Sequence, residues 1–226
     1  MTILYEDNHI IIVSKTSGEI VQGDKTGDTP LSEMVKDYIK TKHNKSRNVF
    51  LGVVHRLDRP VFGVVVFAKT SKALSRLNDM FREGKVSKTY WAIVQGRPEH
   101  MEGTISGWLK RNEKQNKSYM YLKEKPGCKK AVLNYKMLSS SDRYSLLEVE
   151  LLTGRHHQIR CQMASIGCPI KGDLKYGAKR SNPDGSISLL ARKVVFEHPV
   201  SHEIISVEAP VPKDNLWNDL TTPVIS

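Results

Sequence analysis

The hydrophobic positions in the first part of the chain follow two spacings, one typical of strands and one typical of helices. Residues 3–14 (ILYEDNHIIIVS) hold two apolar runs around a polar turn, which predicts two short strands. Residues 31–43 (LSEMVKDYIKTKH) and 71–85 (SKALSRLNDMFREGK) place apolar residues three or four apart. This spacing predicts two amphipathic helices, the second capped by Ser71 and ended by Gly84.

The middle of the chain is dominated by alternating, strand-like patterns. Residues 86–96 (VSKTYWAIVQG), 131–138 (AVLNYKML) and 144–152 (YSLLEVELL) each predict a strand, and the last two predict a pair. The lysine-rich, turn-prone residues 102–126 predict a hairpin on the surface. Residues 156–167 (HHQIRCQMASIG) predict a helix, whose packed stripe would be formed by Ile159, Met163 and Ile166.

The last part of the chain completes the predicted architecture. Residues 187–200 and 202–212 predict two closing strands, followed by two prolines and a C-terminal tail. Residues 49–54 predict one further short strand. Helices and strands are interleaved without the regular alternation of a doubly wound sheet. The pattern therefore predicts one α+β domain over residues 1–226, with a mixed, largely antiparallel sheet flanked by helices and loops.

Charge and composition restrict the classes of partner and compartment. The chain carries 35 Lys and Arg against 24 Asp and Glu, a formal net charge of +11. This excess favours a polyanion such as nucleic acid, although a solvated lysine surface would give the same balance. No stretch approaches the roughly 20 apolar residues of a membrane span, and the N-terminus does not resemble a signal peptide. Three cysteines without a CxxC pair predict reduced thiols in a cytoplasmic protein.

One carboxylate stands out at the start of an apolar segment. In residues 55–70 (HRLDRPVFGVVVFAKT), Asp58 lies between Arg56 and Arg59 and precedes a nearly continuous apolar run. Burial would raise the pKa of this carboxyl group and the guanidinium groups would lower it, a tension that is typical of catalytic carboxylates. Local sequence leaves an ordinary structural ion pair as the alternative.

Two other segments carry candidate chemistry. In residues 151–160 (LLTGRHHQIR), a glycine turn leads to a helix start suited to binding anions, and it carries Arg155, His156, His157 and Arg160. Neighbouring histidines point to different helix faces, and no nearby acid or cysteine completes a metal site. Tyr90 and Lys88 lie two apart in a predicted strand and share one face. Tyr90 could stack on a base or could simply be a core residue.

Together these segments resemble the catalytic core of a pseudouridine synthase of the RluA family. The resemblance covers nearly the whole chain and rests on five segments in the expected order. They are the opening strands ILYEDNHIIIVSKTSGEIV, the aspartate motif HRLDRPVFGVVVFAKT, the tyrosine motif KTYWAIVQG, the arginine motif LLTGRHHQIRCQMASIGCPIKGDLKYG and the closing pair SLLARKVVFEHPVSHE. The resemblance implies the pseudouridine synthase fold.

The resemblance also implies an isomerase that cleaves the glycosidic bond of a selected uridine, rotates the uracil and rejoins it through carbon 5. Asp58 would be the essential carboxylate, attacking the sugar or removing its 2′ proton; both routes stay open. Tyr90 would stack on the target base and assist proton transfer. Arg160 would pair with Asp58 and hold it ionised. No metal, nucleotide or redox cofactor is implied.

The remaining residues of the implied site would bind the substrate. Arg56 would enter the space left by the flipped nucleotide, since the reacting atoms are hidden in folded RNA. Leu190 and Ile159 would line the uracil pocket. His55 and Lys88 would also contact the substrate.

The implied substrate is structured rRNA or tRNA, bound by a monomer. Lysines in residues 110–130 and 39–47 would form the phosphate-binding surface. The aspartate motif begins at residue 55, so we expect no separate N-terminal RNA-binding module. An RNA-binding or assembly factor that has lost catalysis on the same fold is the alternative function.

Three positions depart from the pattern of the family. Val61 and Phe62 replace the usual Thr-Ser, and Thr16 replaces the usual proline of the early turn. None of these changes removes a group to which chemistry is assigned. We therefore predict an active enzyme, in which Phe62 packs behind the catalytic loop.

Overall fold

The computed structural model describes residues 1–24, 26–44, 46 and 48–225, without the side chains of residues 223 and 225. Positions 45 and 47 of the predicted basic 39–47 stretch lie outside the described residues. The chain divides into two compact units. The first contains residues 1–87 and 191–210, and the second contains residues 88–190 and 211–226.

The described residues form eleven strands, four α-helices and one short 3-10 helix over Leu174–Tyr176. The strands are β1 (Thr2–Glu6), β2 (Ile10–Lys15), β3 (Gly52–Val53), β4 (Phe62–Ala68), β5 (Ser87–Gln95), β6 (Glu102–Asn112), β7 (Lys117–Tyr121), β8 (Lys129–Ser140), β9 (Tyr144–Leu151), β10 (Leu189–Glu197) and β11 (Ile204–Glu208). The helices are α1 (Leu31–Lys42), α2 (Ser71–Arg82), α3 (Gln158–Ser165) and α4 (Asn215–Ile225).

The first unit is built around two apolar strands, β2 and β4. β2 pairs antiparallel with both β1 and β4, and the β2–β4 register runs from Ile10 opposite Ala68 to Lys15 opposite Gly63. Both strands are almost completely buried, which explains why their sequences are apolar runs rather than alternating patterns. β10 and β11 form an antiparallel pair in the same unit. Helix α2 contacts β3 and β4.

The second unit contains a five-stranded antiparallel arrangement in the order β5-β9-β8-β6-β7. Apolar side chains alternate along β6 and β8, so that one face of these strands is buried. Helix α3 contacts β7 on this face, and α4 contacts β8 and β9. A buried cluster of Leu109, Ala131, Cys161 and Tyr176 fills the space beside α3. The predicted α+β class with a largely antiparallel sheet is confirmed.

Several boundaries differ from the predictions. The cap of α2 is Thr70, whose hydroxyl accepts from the amide of Ala73, and Ser71 is instead the first helical residue. Gly84 does end this helix in a left-handed conformation, as predicted. Ile166 is 36% exposed and only caps α3, because the helix is too short to carry the predicted stripe so far.

The predicted C-terminal tail is wrong, because residues 215–225 form α4. Asp214 accepts from the amide of Trp217, which satisfies a donor at the start of this helix. Trp217 and Leu220 are buried, and the hydroxyl of Ser139 donates to the carbonyl of Leu220. Within the described part of the chain, no helix has the length and apolar character needed to cross a membrane.

Candidate active site

The loop that carries Asp58 is a short main-chain turn between β3 and β4. The amide of Val61 donates to the carbonyl of Asp58 over 3.0 Å and closes the turn. Leu57 and Val61 are buried on either side, while Asp58 is half-buried. The local sequence therefore anchors the turn through two apolar side chains, with the half-buried Asp58 between them.

A buried lysine stabilises this turn through hydrogen bonds to main-chain carbonyls. The ammonium of Lys15 donates to the carbonyls of Val61 at 2.7 Å, Arg59 at 3.0 Å and Thr16 at 3.0 Å. The side chain is 1% exposed, and burial lowers its pKa from 10.5 to about 8, against the opposing charges of Glu19 and Asp58. Lys15 thus holds the main chain on the C-terminal side of Asp58. The sequence reasoning did not identify this residue.

The arginines beside Asp58 have partners in the glycine-rich loop of residues 16–28. Arg59 Nη1 is 2.7 Å from Asp28 Oδ2, and Nη2 donates to the hydroxyl of Thr26. Arg56 is exposed and donates to Gln22 over 3.4 Å. These contacts connect the aspartate turn to the preceding loop, so an ion pair with Asp58 is not required to explain Arg59.

His55, predicted to bind substrate, is built into the first unit through its ring. Its Nε2 accepts from the amide of Val66 over 3.0 Å, and its ring stacks on Phe81 with centroids 4.9 Å apart. Because Nε2 accepts, the proton of a neutral ring is on Nδ1. The contacts join the start of the aspartate motif to β4 and α2.

The departures from the family pattern have local structural consequences. Val61 is 2% exposed, so its apolar side chain is buried with no hydroxyl to pair, and its main-chain carbonyl accepts from Lys15. Thr16 keeps a main-chain N–H that proline lacks, and this group donates to Glu19 over 2.7 Å. Phe62 is half-exposed at the start of β4, and its packing behind the loop stays a prediction. Gly63 follows at φ +121°, where a Cβ would lie 2.3 Å from the carbonyl oxygen of Ala191.

The second unit carries the predicted tyrosine and its neighbouring lysine on β5. Tyr90 is half-buried and lies opposite Val149 of β9. Lys88 is also half-buried, and burial lowers the pKa of its ammonium group. Its Nζ lies near Gly154, 3.8 Å from where a Cβ on that residue would be. The predicted pocket residues Leu190 and Ile159 are 0% and 4% exposed.

Arg160 is held by a buried carboxylate that the sequence reasoning did not select. Its Nε donates to Asp173 Oδ2 at 2.7 Å and its Nη2 to Oδ1 at 2.9 Å, which makes a bidentate pair. The two side chains are 7% and 1% exposed. The guanidinium carbon also lies 5.1 Å from the ring centre of Tyr176. The segment GDLKYG, already part of the quoted arginine motif, contains both Asp173 and Tyr176.

His157 orients the remaining edge of this guanidinium. It lies just before α3 in a left-handed conformation, φ 53°, with its Nε2 3.0 Å from Arg160 Nη1. Burial and the charge of Arg160 lower the pKa of His157 to about 2, so the ring is neutral. Arginine can only donate, so Nε2 accepts and Nδ1 carries the proton that is donated to the Tyr176 hydroxyl, 2.9 Å away.

Tyr176 and His156 connect this network to β7. The Tyr176 hydroxyl accepts from the amide of Ser118 over 2.8 Å, and burial raises the pKa of Tyr176 to about 12. His156 stacks on His157 with ring centres 3.8 Å apart, and its Nδ1 is 2.9 Å from the Ser118 hydroxyl. Among the described residues, no group of three His, Cys, Asp or Glu side chains could hold a metal ion. The histidine pair is therefore part of a hydrogen-bond network.

Comparisons with known proteins identify the family to which the chain is similar. The family model described as RNA pseudouridylate synthase matches residues 9–165. The Bacillus subtilis protein YhcT, named an uncharacterized RNA pseudouridine synthase, is 34% identical over 95% of this chain and 70% of its own length. A Vibrio parahaemolyticus relative named ribosomal large subunit pseudouridine synthase C is 31% identical over 92% of this chain and 65% of its own length.

A solved structure shows the same fold. The chain titled human RNA pseudouridylate synthase domain containing 4 superposes with a TM-score of 0.81 at 22% identity, covering 99% of this chain and 93% of that chain. At this identity the likeness establishes the fold, which confirms the predicted pseudouridine synthase architecture. Family model, relatives and fold agree, and the chain belongs to the RNA pseudouridylate synthase family of isomerases, within the RluA group that its motifs resemble.

Proposed function

We propose that this enzyme converts a specific uridine in structured rRNA or tRNA into pseudouridine, with Asp58 as the essential carboxylate. The bond between C1′ and N1 breaks, the uracil rotates, and a bond forms between C1′ and C5. The hydrogen on C5 leaves as a proton and N1 gains one, so the product is an isomer of the substrate. The carboxylate either attacks the sugar or removes its 2′ proton.

The observation that carries the proposal is the way the Asp58 turn is built. Lys15 donates to the carbonyls of Arg59 and Val61, directly after the aspartate, and Leu57 and Val61 are buried. The main chain is thereby fixed, while the carboxylate stays half-buried and can meet a ribose. A prearranged carboxylate avoids reorganisation during the reaction, which is how enzymes gain most from charged groups.

The other site residues receive the roles that the motifs imply. Tyr90 stacks on the target base and assists proton transfer, while Arg160 stabilises the ionised Asp58. The clamp from Asp173 and His157 supports the role of Arg160, because it orients the guanidinium before substrate arrives. No cofactor takes part in these steps.

The substrate-binding roles come from the motifs, and the exposure of Arg56 supports the role of that residue. Arg56 is exposed, as a side chain that replaces a flipped nucleotide must be. Leu190 and Ile159 are the apolar candidates for the uracil pocket. Lys88 is proposed to contact the substrate, and His55 to do so beside the aspartate turn.

Structured rRNA is favoured by the name of the Vibrio relative and by the net charge of +11. Lysines in residues 110–130 are proposed to bind phosphates, because this segment carries a large share of the basic side chains. An RNA-binding factor without catalysis would use the same surface, so only turnover separates the two functions.

The test is release of tritium from RNA labelled at carbon 5 of uridine. RNA from a strain without this gene should release tritium with the wild-type protein. Asp58→Asn should abolish release and leave RNA affinity unchanged, because the two side chains have similar size. The matched control is Asp79→Asn on the exposed side of α2, which should keep full turnover. Retained turnover in Asp58→Asn would refute the role of Asp58. A folded wild-type protein that binds RNA without releasing tritium would favour the non-catalytic function.

A further inference from the structure

We propose that one face of the β6–β7–β8 segment binds unpaired RNA nucleotides beside the target uridine by stacking bases on aromatic rings. This inference rests on the proposed function, because it concerns how the same RNA is held. The aromatic–lysine face consists of Trp108, Tyr119, Tyr121, Lys110, Lys125 and Lys130, on the side of the strands opposite α3.

The strand register brings these side chains together. Trp108 of β6 lies directly opposite Tyr121 of β7 on one side and Lys130 of β8 on the other. Lys110 lies opposite Tyr119, two positions farther along the same face. Side chains at directly opposed positions are neighbours, so rings and ammonium groups form two adjacent rows.

The lysines lie over the rings. Lys130 Nζ is 5.3 Å from the ring centre of Trp108, and Lys125 Nζ is 4.1 Å from that of Tyr121. Trp108 and Tyr121 are half-exposed and Tyr119 is 38% exposed. Proteins bind single strands through two elements, aromatic rings on which bases stack and nearby positive groups that bind phosphates. The aromatic–lysine face has both.

The local charge matches this partner. Residues 108–130 contain eight Lys or Arg and two Glu, so this short segment supplies more than half of the net charge of +11. A polyanion is the complementary occupant, and the exposed rings favour unpaired bases over a duplex, whose bases are already stacked.

A further lysine connects the face with the Arg160 network. β7 is the last strand of its sheet order, and Lys117 begins it. The Nζ of Lys117 lies 5.5 Å from the ring centre of Tyr119 and 5.2 Å from that of Tyr176, the ring that also contacts Arg160. A strand of RNA that crosses the β7 edge at Lys117 therefore passes from the aromatic–lysine face toward Arg160.

Tryptophan fluorescence tests the inference directly. Trp91 and Trp217 are 6% and 2% exposed, so Trp108 is the accessible one of the three tryptophans. An oligouridylate of about ten nucleotides should quench its emission on binding. Trp108→Ala should abolish the quench and weaken the affinity for the oligonucleotide roughly 5- to 150-fold, the range for loss of one stacking contact. Trp108→Phe should abolish the quench and keep most of the affinity.

Charge and control variants complete the experiment. Lys130→Ala should reduce the slope of log affinity against log salt by about 0.7, the value for one phosphate contact to a single strand. Tyr144→Ala, a half-exposed ring on β9, and Lys85→Ala, an exposed lysine, should bind as wild type. Circular dichroism of each variant checks that it is folded.

The outcomes separate the inference from the proposed function. Tritium release by the wild type without quenching, and with unchanged affinity in Trp108→Ala, would overturn the inference and leave the proposed function standing. Quenching by RNA without tritium release would support RNA binding by the aromatic–lysine face and would contradict the proposed isomerase activity. Self-association that Trp108→Ala removes, with RNA affinity unchanged, would make the face a protein interface and overturn the inference.

Discussion

Asp58 and Arg160, the two charged residues of the proposed reaction, are each positioned within their own unit by a different kind of contact. In the first unit, Asp58 is placed through the main chain, because Lys15 holds the carbonyls that follow it. In the second unit, Arg160 is placed through its own side chain by Asp173 and His157. The carboxylate is half-buried, whereas the guanidinium is 7% exposed.

The difference follows from what each group must do in the proposed reaction. Lys15 positions the Asp58 turn through the carbonyls of Arg59 and Val61, so this support does not occupy the oxygen atoms of a carboxylate that reacts with a ribose. A guanidinium that only stabilises charge has five donors and can use some of them for support. The comparison therefore predicts that loss of the contacts that hold Arg160 lowers the free energy of unfolding most. Loss of the Lys15 contacts should mainly disturb the conformation of the Asp58 turn.

The largest effect is expected from Asp173→Asn. This change removes the counter-charge of a buried guanidinium and should lower the free energy of unfolding by about 3–5 kcal/mol. Urea denaturation measures it. Asp79→Asn, which removes the acid of an exposed pair with Arg82, serves as the control and should leave the urea midpoint unchanged. A midpoint for Asp173→Asn equal to that of the control would show that Arg160 does not depend on this clamp.

Lys15→Met should have an intermediate effect. Methionine fills similar space but leaves the carbonyls of Val61 and Thr16 without the ammonium, at a cost of about 2–3 kcal/mol in the free energy of unfolding. Tritium release should fall more steeply than RNA affinity, because the turn of Asp58 loosens. Equal losses in turnover and affinity would argue against main-chain positioning.

The pH dependence of this variant provides a separate check. The pKa of Lys15 is about 8 in the folded chain and 10.5 in the unfolded one, so the unfolded chain binds more protons between these values. The contribution of Lys15 to the free energy of unfolding therefore rises with pH across that window. The stability advantage of the wild type over Lys15→Met should increase from pH 8 to about 10.5. A constant difference would show that burial does not lower the pKa of Lys15 in the folded chain.

How much of this comparison was predictable depends on the range of the contacts. The strands and the first three helices followed from periodicity, and the motifs selected Asp58, Tyr90 and Arg160 as the proposed catalytic residues. The carbonyls that Lys15 binds lie 44 and 46 residues away, and nothing in the local pattern selects them. Asp173 lies in a loop, and the local sequence does not indicate that this loop brings its carboxylate to Arg160.

Helix α4 was missed for a different reason. The prolines before it indicated a tail, although Asp214, three residues before the buried Trp217, was a usable start signal. In the sequence analysis, the prolines before residue 215 were given more weight than the positions of the apolar side chains in the short segment that follows. The role of His157 was equally hidden, because its left-handed conformation places the ring where helical spacing does not.

The smallest effect, and the most informative on the second unit, is expected from Tyr176→Phe. The hydroxyl accepts from the amide of Ser118 and from His157 Nδ1, so its loss should cost about 1–2 kcal/mol in the free energy of unfolding. His157 can then change tautomer, and an Nε2 that carries the proton can no longer accept from Arg160. Single-turnover release of tritium at saturating RNA should therefore slow, while the RNA concentration for half-saturation stays constant. A merely structural hydroxyl would lower the urea midpoint and leave that rate unchanged. The contrast with Lys15→Met is then complete: one variant disturbs a carboxylate through its backbone, and the other disturbs a guanidinium through a hydroxyl two hydrogen bonds away.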